Sequence, residues 1–364
     1  MPPITLFKYI SLRTLIAIGA LFAVFSSLIL LVDLIENMRF AGKVDSGNFG
    51  FALQLTILRT PSLAQALTPF VFLFGAIWMF NQLSRRSETS VMRSAGLSVW
   101  RLITPAAFVA AIVGFLIITF IDPLSGRMLS HSEQMKNDIR GKRTSVVRVL
   151  GDGIWLRQRA ANSFIIINAR SFDEENDALT DVTIWRLGND AAFRERVDAP
   201  KAVLSGQTIE LYDANLKTTS DRLNHNNVVY TIKTTITPDD LRERVAAPET
   251  MSIWQLPRFI MLAEAAGLPT VRYHIRFHDL CSTPLKLVAM VLIAAIFSLQ
   301  PARSGGTGTL ALYSIGAGFS LYILSEISTA LGESGTAPVA LAAWTPALVA
   351  SLFAVGSLLQ FEDG

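Results

Sequence analysis

Residues 12–32 constrain this chain more than any other stretch. They form an almost wholly apolar run of roughly twenty residues, the length a helix needs to cross about 30 Å of hydrocarbon. The run is about twice as long as a signal-peptide core, so it is expected to stay in place as a signal anchor. Comparable runs recur over residues 61–83, 102–121, 284–299, 309–331 and 338–359. Residues 51–58 are apolar apart from Gln54 and Thr56 and fit an interfacial segment before the second run, which Pro61 opens where a missing donor costs a helix least. With 51% hydrophobic residues in 364, the chain is too apolar for a soluble protein and too polar to be membrane throughout.

The polar remainder is the block 122–283, and its periodicity is different. In residues 228–237 the apolar Val228, Tyr230, Ile232 and Ile236 share one face of a strand. Further strand candidates are 153–158, 163–170, 180–187, 201–204 and 208–216, separated by turn clusters such as 173–177 and 224–227. Short strands at such even spacing predict a jelly roll or sandwich, without crossover helices. After Pro238 the pattern turns helical, with Ile253, Leu256, Phe259, Ile260 and Ala263 behind Ser252 and a stop at Gly267 and Pro269. The expected fold is an α-helical membrane protein with about six transmembrane helices, three on each side of an inserted all-β domain of β-jellyroll type. Its parts are 1–121, 122–283 with a terminal helical segment at about 252–266, and 284–364.

Basic residues of the short loops set the orientation. Lys8, Arg13, Arg85, Arg86, Arg93, Arg101 and Arg303 fall on one side, against Arg39, Lys43 and Arg59 on the other, so the N-terminus is expected in the cytoplasm. Three spans later, the β-domain is expected on the far side. The net charge of +3 comes from nearly balanced acids and bases, a poor case for a nucleic-acid partner. Cys281 is the single cysteine, which excludes an intramolecular disulfide and a cysteine-based zinc site.

The sequence carries no recognisable catalytic constellation. Gly305, Gly306, Gly308 and their threonines lack the lysine of a phosphate-binding loop, so any ATP is hydrolysed by another chain. His274 and His278 stand four apart beside Asp279, a spacing open to a metal, but without a third ligand at fixed spacing they read better as interfacial residues. No cofactor is implied. Residues 84–98 form a short amphipathic helix with Val91, Met92 and Ala95 on one side and Gly96 as a stop. They read either as an ordinary loop or as a coupling helix that docks Glu88 and its apolar side into a motor subunit. Glu326, inside the fifth run, either snorkels or faces a polar cavity or partner helix. Arg39, Lys43, Arg59, Arg272, Arg276 and Lys286 flank the outer membrane surface, as simple anchors or as an anionic-lipid site.

The stretch Arg86-Ser87-Glu88-Thr89-Ser90-Val91-Met92-Arg93-Ser94-Ala95-Gly96-Leu97-Ser98 resembles the Arg-Ser-Glu-x-x-Val-Met-x-Ala-Ala-Gly-x-Ser pattern of the LptF/LptG family, permeases of the lipopolysaccharide-export ABC transporter. Val32-Asp33-Leu34 with Ala41-Gly42, and Pro301 with Arg303, fit as well, and the details lie nearer the LptG branch than the LptF branch. The resemblance covers essentially the whole chain. It implies a periplasmic β-jellyroll domain, a heterodimer of LptG with LptF, an LptB ATPase dimer beneath, an LptC helix beside the first span, and a route onward to LptA. By the same resemblance Arg85, Arg86, Glu88, Val91, Met92 and Arg93 couple to the ATPase. Lipopolysaccharide would enter a cavity formed by the first and fifth spans of both subunits, near Arg39, Lys43, Arg59 and Glu326. Some relatives carry a lysine where Leu30 stands here, which leaves Arg39 and Lys43 as the substitutes nearest the end of the first span. The rival reading is a membrane-anchored receptor or scaffold whose outer β-domain binds a ligand without transport.

Overall fold

The computed structural model describes residues 4–43, 48–139, 145–150, 153–160, 163–173, 176–188, 193–205, 208–218, 225–234, 247–299 and 307–363. The chain divides into two compact units, Met1–Leu129 with His274–Gly364, and Ser130–Tyr273.

The first unit is helical. Its elements are α1 (Ile4–Ala41), α2 (Phe49–Ala66), α3 (Thr68–Arg85), α4 (Glu88–Ser94) and α5 (Val99–Leu116), then a π-helical turn at Ile117–Ile121 that leads into α6 (Asp122–Ile139). Five described helices are long and apolar enough to cross a membrane; α2 and α3 supply a sixth if the pair, bent by 62°, is one span. Pro61 lies inside α2 and does not open the second span. The break falls at Leu67, where Pro69 in the first turn of α3 has no amide to continue the α2 ladder. Asp122 and Pro123 do not end the helix of the third span either. The π turn shifts the hydrogen-bond register and helix continues through them, with Pro123 in the first turn of α6, where a proline is tolerated.

After the polar block come α8 (Val271–Ser298), α9 (Thr307–Glu333) and α10 (Val339–Asp363). The core of this unit joins Phe72, Phe80 and Leu73 of α3 to Leu102 and Ile103 of α5 and to Leu287, Met290 and Val291 of α8. Gly114 brings α5 against α8 at its proline: a Cβ there would stand 2.7 Å from the Pro284 Cα, too close for any side chain. Burial is uneven. Of the apolar stretches, 61% is buried in α8, but only 11% in α1 and 17% in α9.

The second unit holds one antiparallel sheet of strands β1 (Ser145–Leu150), β2 (Gly153–Ala160), β3 (Ser163–Ala169), β4 (Ser171–Asp173), β5 (Ala178–Gly188), β6 (Phe193–Ser205), β7 (Thr208–Thr218) and β8 (His225–Lys233). Neighbours in sequence pair in space, in the order β1-β2-β3-β5-β6-β7-β8 with the short β4 on β5. Ile154, Leu156, Ile165, Ile167, Ile184, Val197, Leu211 and Ile232 line the buried face. The sheet curls until Thr234, just past β8, donates from its hydroxyl to the Gln158 amide oxygen on β2 at 2.8 Å, with both residues buried.

A crease lets it curl. The buried positions change phase along β5 (Leu179, then Val182 and Ile184), β6 (Val197 and Ala199, then Ala202 and Leu204) and β7 (Ile209 and Leu211, then Ala214). At the change stand Asp181 at φ 48°, Pro200 and Asp213 at φ 53°, none of which has a cross-strand partner in the registers of β5, β6 and β7. Skipping one residue in each of three adjacent strands bends the sheet along a line and keeps its apolar residues on one face. Near one end of that face Arg186 pairs with Glu195 at 2.9 Å, and burial pushes the Tyr230 hydroxyl above its usual pKa beside the same carboxylate.

Helix α7 (Leu256–Ala265) buries Leu256, Ile260 and Ala263. It ends at Gly267, whose positive φ of 69° lets the Leu268 amide return to the Ala263 carbonyl at 2.9 Å. The Ala266 carbonyl then accepts the Phe172 amide of β4 at 2.8 Å.

Candidate functional site

The first candidate is the turn between α3 and α5. Helix α3 closes at Arg85, and Ser87 at φ 57° reverses the chain into α4, whose first residue is Glu88. Seven residues make two turns, too few to hold a helix by backbone hydrogen bonds alone, so α4 depends on what it touches. Thr89 is buried and Met92 packs against the helical core, whereas Val91 is 66% exposed. Val91 and Met92 thus face opposite ways, contrary to the expected single apolar side. Arg85, Arg86 and Arg93 are exposed around the turn, and Glu88 accepts the Tyr9 hydroxyl of α1 at 2.9 Å through Oε2.

The second candidate lies where α1 meets α2. Asp33 and Asn37 occupy successive turns of α1, both buried. The Arg59 guanidinium of α2 donates to Asp33 Oδ1 at 2.8 Å, and the Asn37 amide donates to Asp33 Oδ2 at 2.7 Å and to the Thr56 hydroxyl at 3.0 Å. Arg59 is therefore committed to Asp33. Arg39 and Lys43, by contrast, are exposed and make no ion pair among the described residues. A second buried acid repeats the theme: Arg276 of α8 meets Asp122 at 3.1 Å, and Ser125 donates to Gln65 of α2 at 3.0 Å. Lys286 pairs with Asp279. Of the bases assigned to the outer surface, Arg59, Arg276 and Lys286 are thus neutralised within the fold.

The third candidate, Glu326, is exposed on α9 in a row with Phe319, Ile323 and Ile327, which are exposed as well. Among the described residues no three histidine, cysteine or acidic side chains gather closely enough for a metal. Arg303 and the glycines 305 and 306 lie outside the described residues.

A family model described as lipopolysaccharide export system permease LptF/LptG matches residues 8–360. The chain belongs to the LptF/LptG family. The LptG of Haemophilus influenzae is 25% identical over 334 residues, 89% of either chain. That of Escherichia coli K12 is 24% identical over 311 residues, 82% of either chain. A multi-pass inner-membrane permease with an inserted antiparallel β-domain is what both the family and the apolar helices describe.

In this LptF/LptG permease the residues singled out from the sequence do not gather at one place. Glu88 and its arginines sit at the α3–α5 turn, Arg39, Lys43 and Arg59 near the end of α1, and Glu326 on α9. Sequence reading missed Tyr9, Asn37, Thr56 and Asp122 as polar partners. One signal was available: Asp33 and Asn37, four residues apart at the end of an apolar run, share a helix face and need a buried donor opposite.

Proposed function

We propose that this permease extracts lipopolysaccharide from the outer leaflet of the inner membrane as one half of a heterodimer with LptF, driven by an LptB dimer. LptC and LptA would receive the lipid on the periplasmic side, where the β-domain projects, while both termini stay in the cytoplasm. The observation that carries this reading is the pair of open apolar helices, α1 and α9, in a chain that matches the permease family along nearly its whole length. Their exposed faces, with Leu28, Leu31 and Ile35 on α1 and Phe319, Ile323 and Ile327 on α9, suit acyl chains and an apposed subunit. Arg39 and Lys43, exposed and unpaired among the described residues, suit the phosphates of the lipid headgroup through charge-assisted contacts.

The partner ATPase couples to the permease through α4. The exposed Val91 with Arg85, Arg86, Glu88 and Arg93 forms a mixed apolar and charged surface that fits a groove on a nucleotide-binding subunit. Closure of the nucleotide sites would move α4, and the cavity narrows because nucleotide binds the closed state better. Reversing the docking charge with Glu88→Lys is expected to reduce copurification of the ATPase or to uncouple hydrolysis from lipid release. Full subunit stoichiometry with normal release would remove Glu88 from that role. Arg39→Glu with Lys43→Glu should lower photocrosslinking of lipopolysaccharide near α1, and unchanged crosslinking would make these bases plain anchors.

Affinity purification from native membranes tests the function as a whole. Copurification of an ATPase subunit with lipopolysaccharide is expected. A ligand held by the β-domain with no ATPase present would favour a receptor.

A further inference from the structure

We infer that Tyr9 is a positioning residue for the coupling segment: it fixes the Glu88 carboxylate and ties the motion of α4 to α1. The inference rests on the assignment of α4 as the ATPase contact. Its physical basis is a strap across the base of the helical unit. The Tyr9 hydroxyl donates to Glu88 Oε2 at 2.9 Å across 79 residues of sequence. Arg13, one turn further along α1, lies over the Tyr9 ring with its guanidinium carbon 5.2 Å from the centroid, and its Nη1 donates to Gln82 Oε1 of α3 at 3.0 Å. The ring is held from one side by the cation and the cation is held by an amide, so the hydroxyl has little freedom to leave the carboxylate.

Two consequences follow from the chemistry. A carboxylate has two oxygens and accepts several donors; Tyr9 takes Oε2, and among the described residues nothing takes Oε1, which is left for a cationic or amide donor of a partner. Glu88 is half-buried, so the bond sets which rotamer a partner meets. Secondly, α4 has covalent links only to α3 and α5, through a left-handed Ser87 with no side-chain cap. The Tyr9 contact adds a lateral link from α4 to α1, the helix whose apolar face is least buried, and Arg13 ties that part of α1 to α3. A displacement of α4 is therefore passed to α1 by hydrogen bond as well as along the chain.

The test uses the purified complex with its ATPase in proteoliposomes, with lipopolysaccharide release and ATP hydrolysis read together. Tyr9→Phe keeps the ring and its stacking with Arg13 and removes only the hydroxyl. It should leave subunit stoichiometry and melting temperature unchanged and lower the lipid released per ATP roughly threefold to tenfold, the scale of one ordinary intramolecular hydrogen bond. In a Glu88→Leu background, where no acceptor remains for the hydroxyl, the same change should add little, because both substitutions break one interaction. If Glu88→Leu uncouples while Tyr9→Phe keeps the wild-type release per ATP, or if the two effects simply multiply, the Tyr9 role is overturned and the coupling assignment stands. If neither substitution alters release per ATP, the coupling assignment falls and the inference with it.

Discussion

Asp33 shows how much a single acid decides in an apolar setting. It is 4% exposed, yet its two oxygens are met by Arg59 and Asn37 at 2.8 and 2.7 Å, which is what allows a charge to remain there. Asp33→Ala leaves the half-buried Arg59 guanidinium with only the exposed Glu36, at 4.0 Å, as its acid, and such a loss costs roughly 1–3 kcal/mol. A lowered melting temperature in detergent is expected, with substantial recovery in an Asp33→Ala, Arg59→Met double variant, where neither charge remains. An additive loss would mean the pair does not hold α1 to α2. At this scale the sequence was legible in part. Glu88, Arg39 and Lys43 could be named from motif and position, but Arg59 was read as a free surface base because its acid lies 26 residues away on another helix. Tyr9 could not be named at all, since nothing local marks a partner 79 residues distant.

Elements were legible wherever one periodicity ran unbroken, and they blurred where the phase changed. Strand β6 illustrates this: the alternation of Val197 and Ala199 slips at Pro200 and resumes at Ala202 and Leu204, so only residues 201–204 read as a strand. The third span likewise read as ending at Asp122 and Pro123, although the π turn carries the helix on to Ile139. In both cases a skipped or inserted residue preserves the structure while spoiling the pattern. The crease makes a clear demand on Asp213, whose φ of 53° costs a residue with a Cβ roughly 1–2 kcal/mol and a β-branched one more. Asp213→Gly should therefore be neutral or stabilising and Asp213→Val destabilising, measured by thermal melts of the full chain. Equal melting of the two would argue against the left-handed turn. Between helices, Gly114→Leu must displace Pro284, and a loss of roughly 1–3 kcal/mol for overpacking is expected where α5 and α8 touch.

At the scale of the whole molecule, the division into apolar runs and a strand-patterned middle was plain from composition alone, whereas the helices that would face a partner were not. Both α1 and α8 are apolar enough to cross a membrane, and only the folded arrangement shows that α8 is enclosed and α1 is open. The orientation proposed from the basic loops is testable by labelling. In a Cys281→Ser background, a cysteine at Lys201, exposed in the β-unit, should react with an impermeant maleimide from the periplasm, and one at Arg93 only after the membrane is permeabilised. The reverse pattern would place the β-domain in the cytoplasm and end the export reading. The most direct measurement is lipid release itself. The complex of this permease with its partner subunits, reconstituted with lipopolysaccharide in proteoliposomes, should deliver that lipid to a soluble periplasmic acceptor when ATP is supplied and hydrolysed. Release that is equally fast without ATP, or with an ATPase unable to hydrolyse it, would contradict export by this chain.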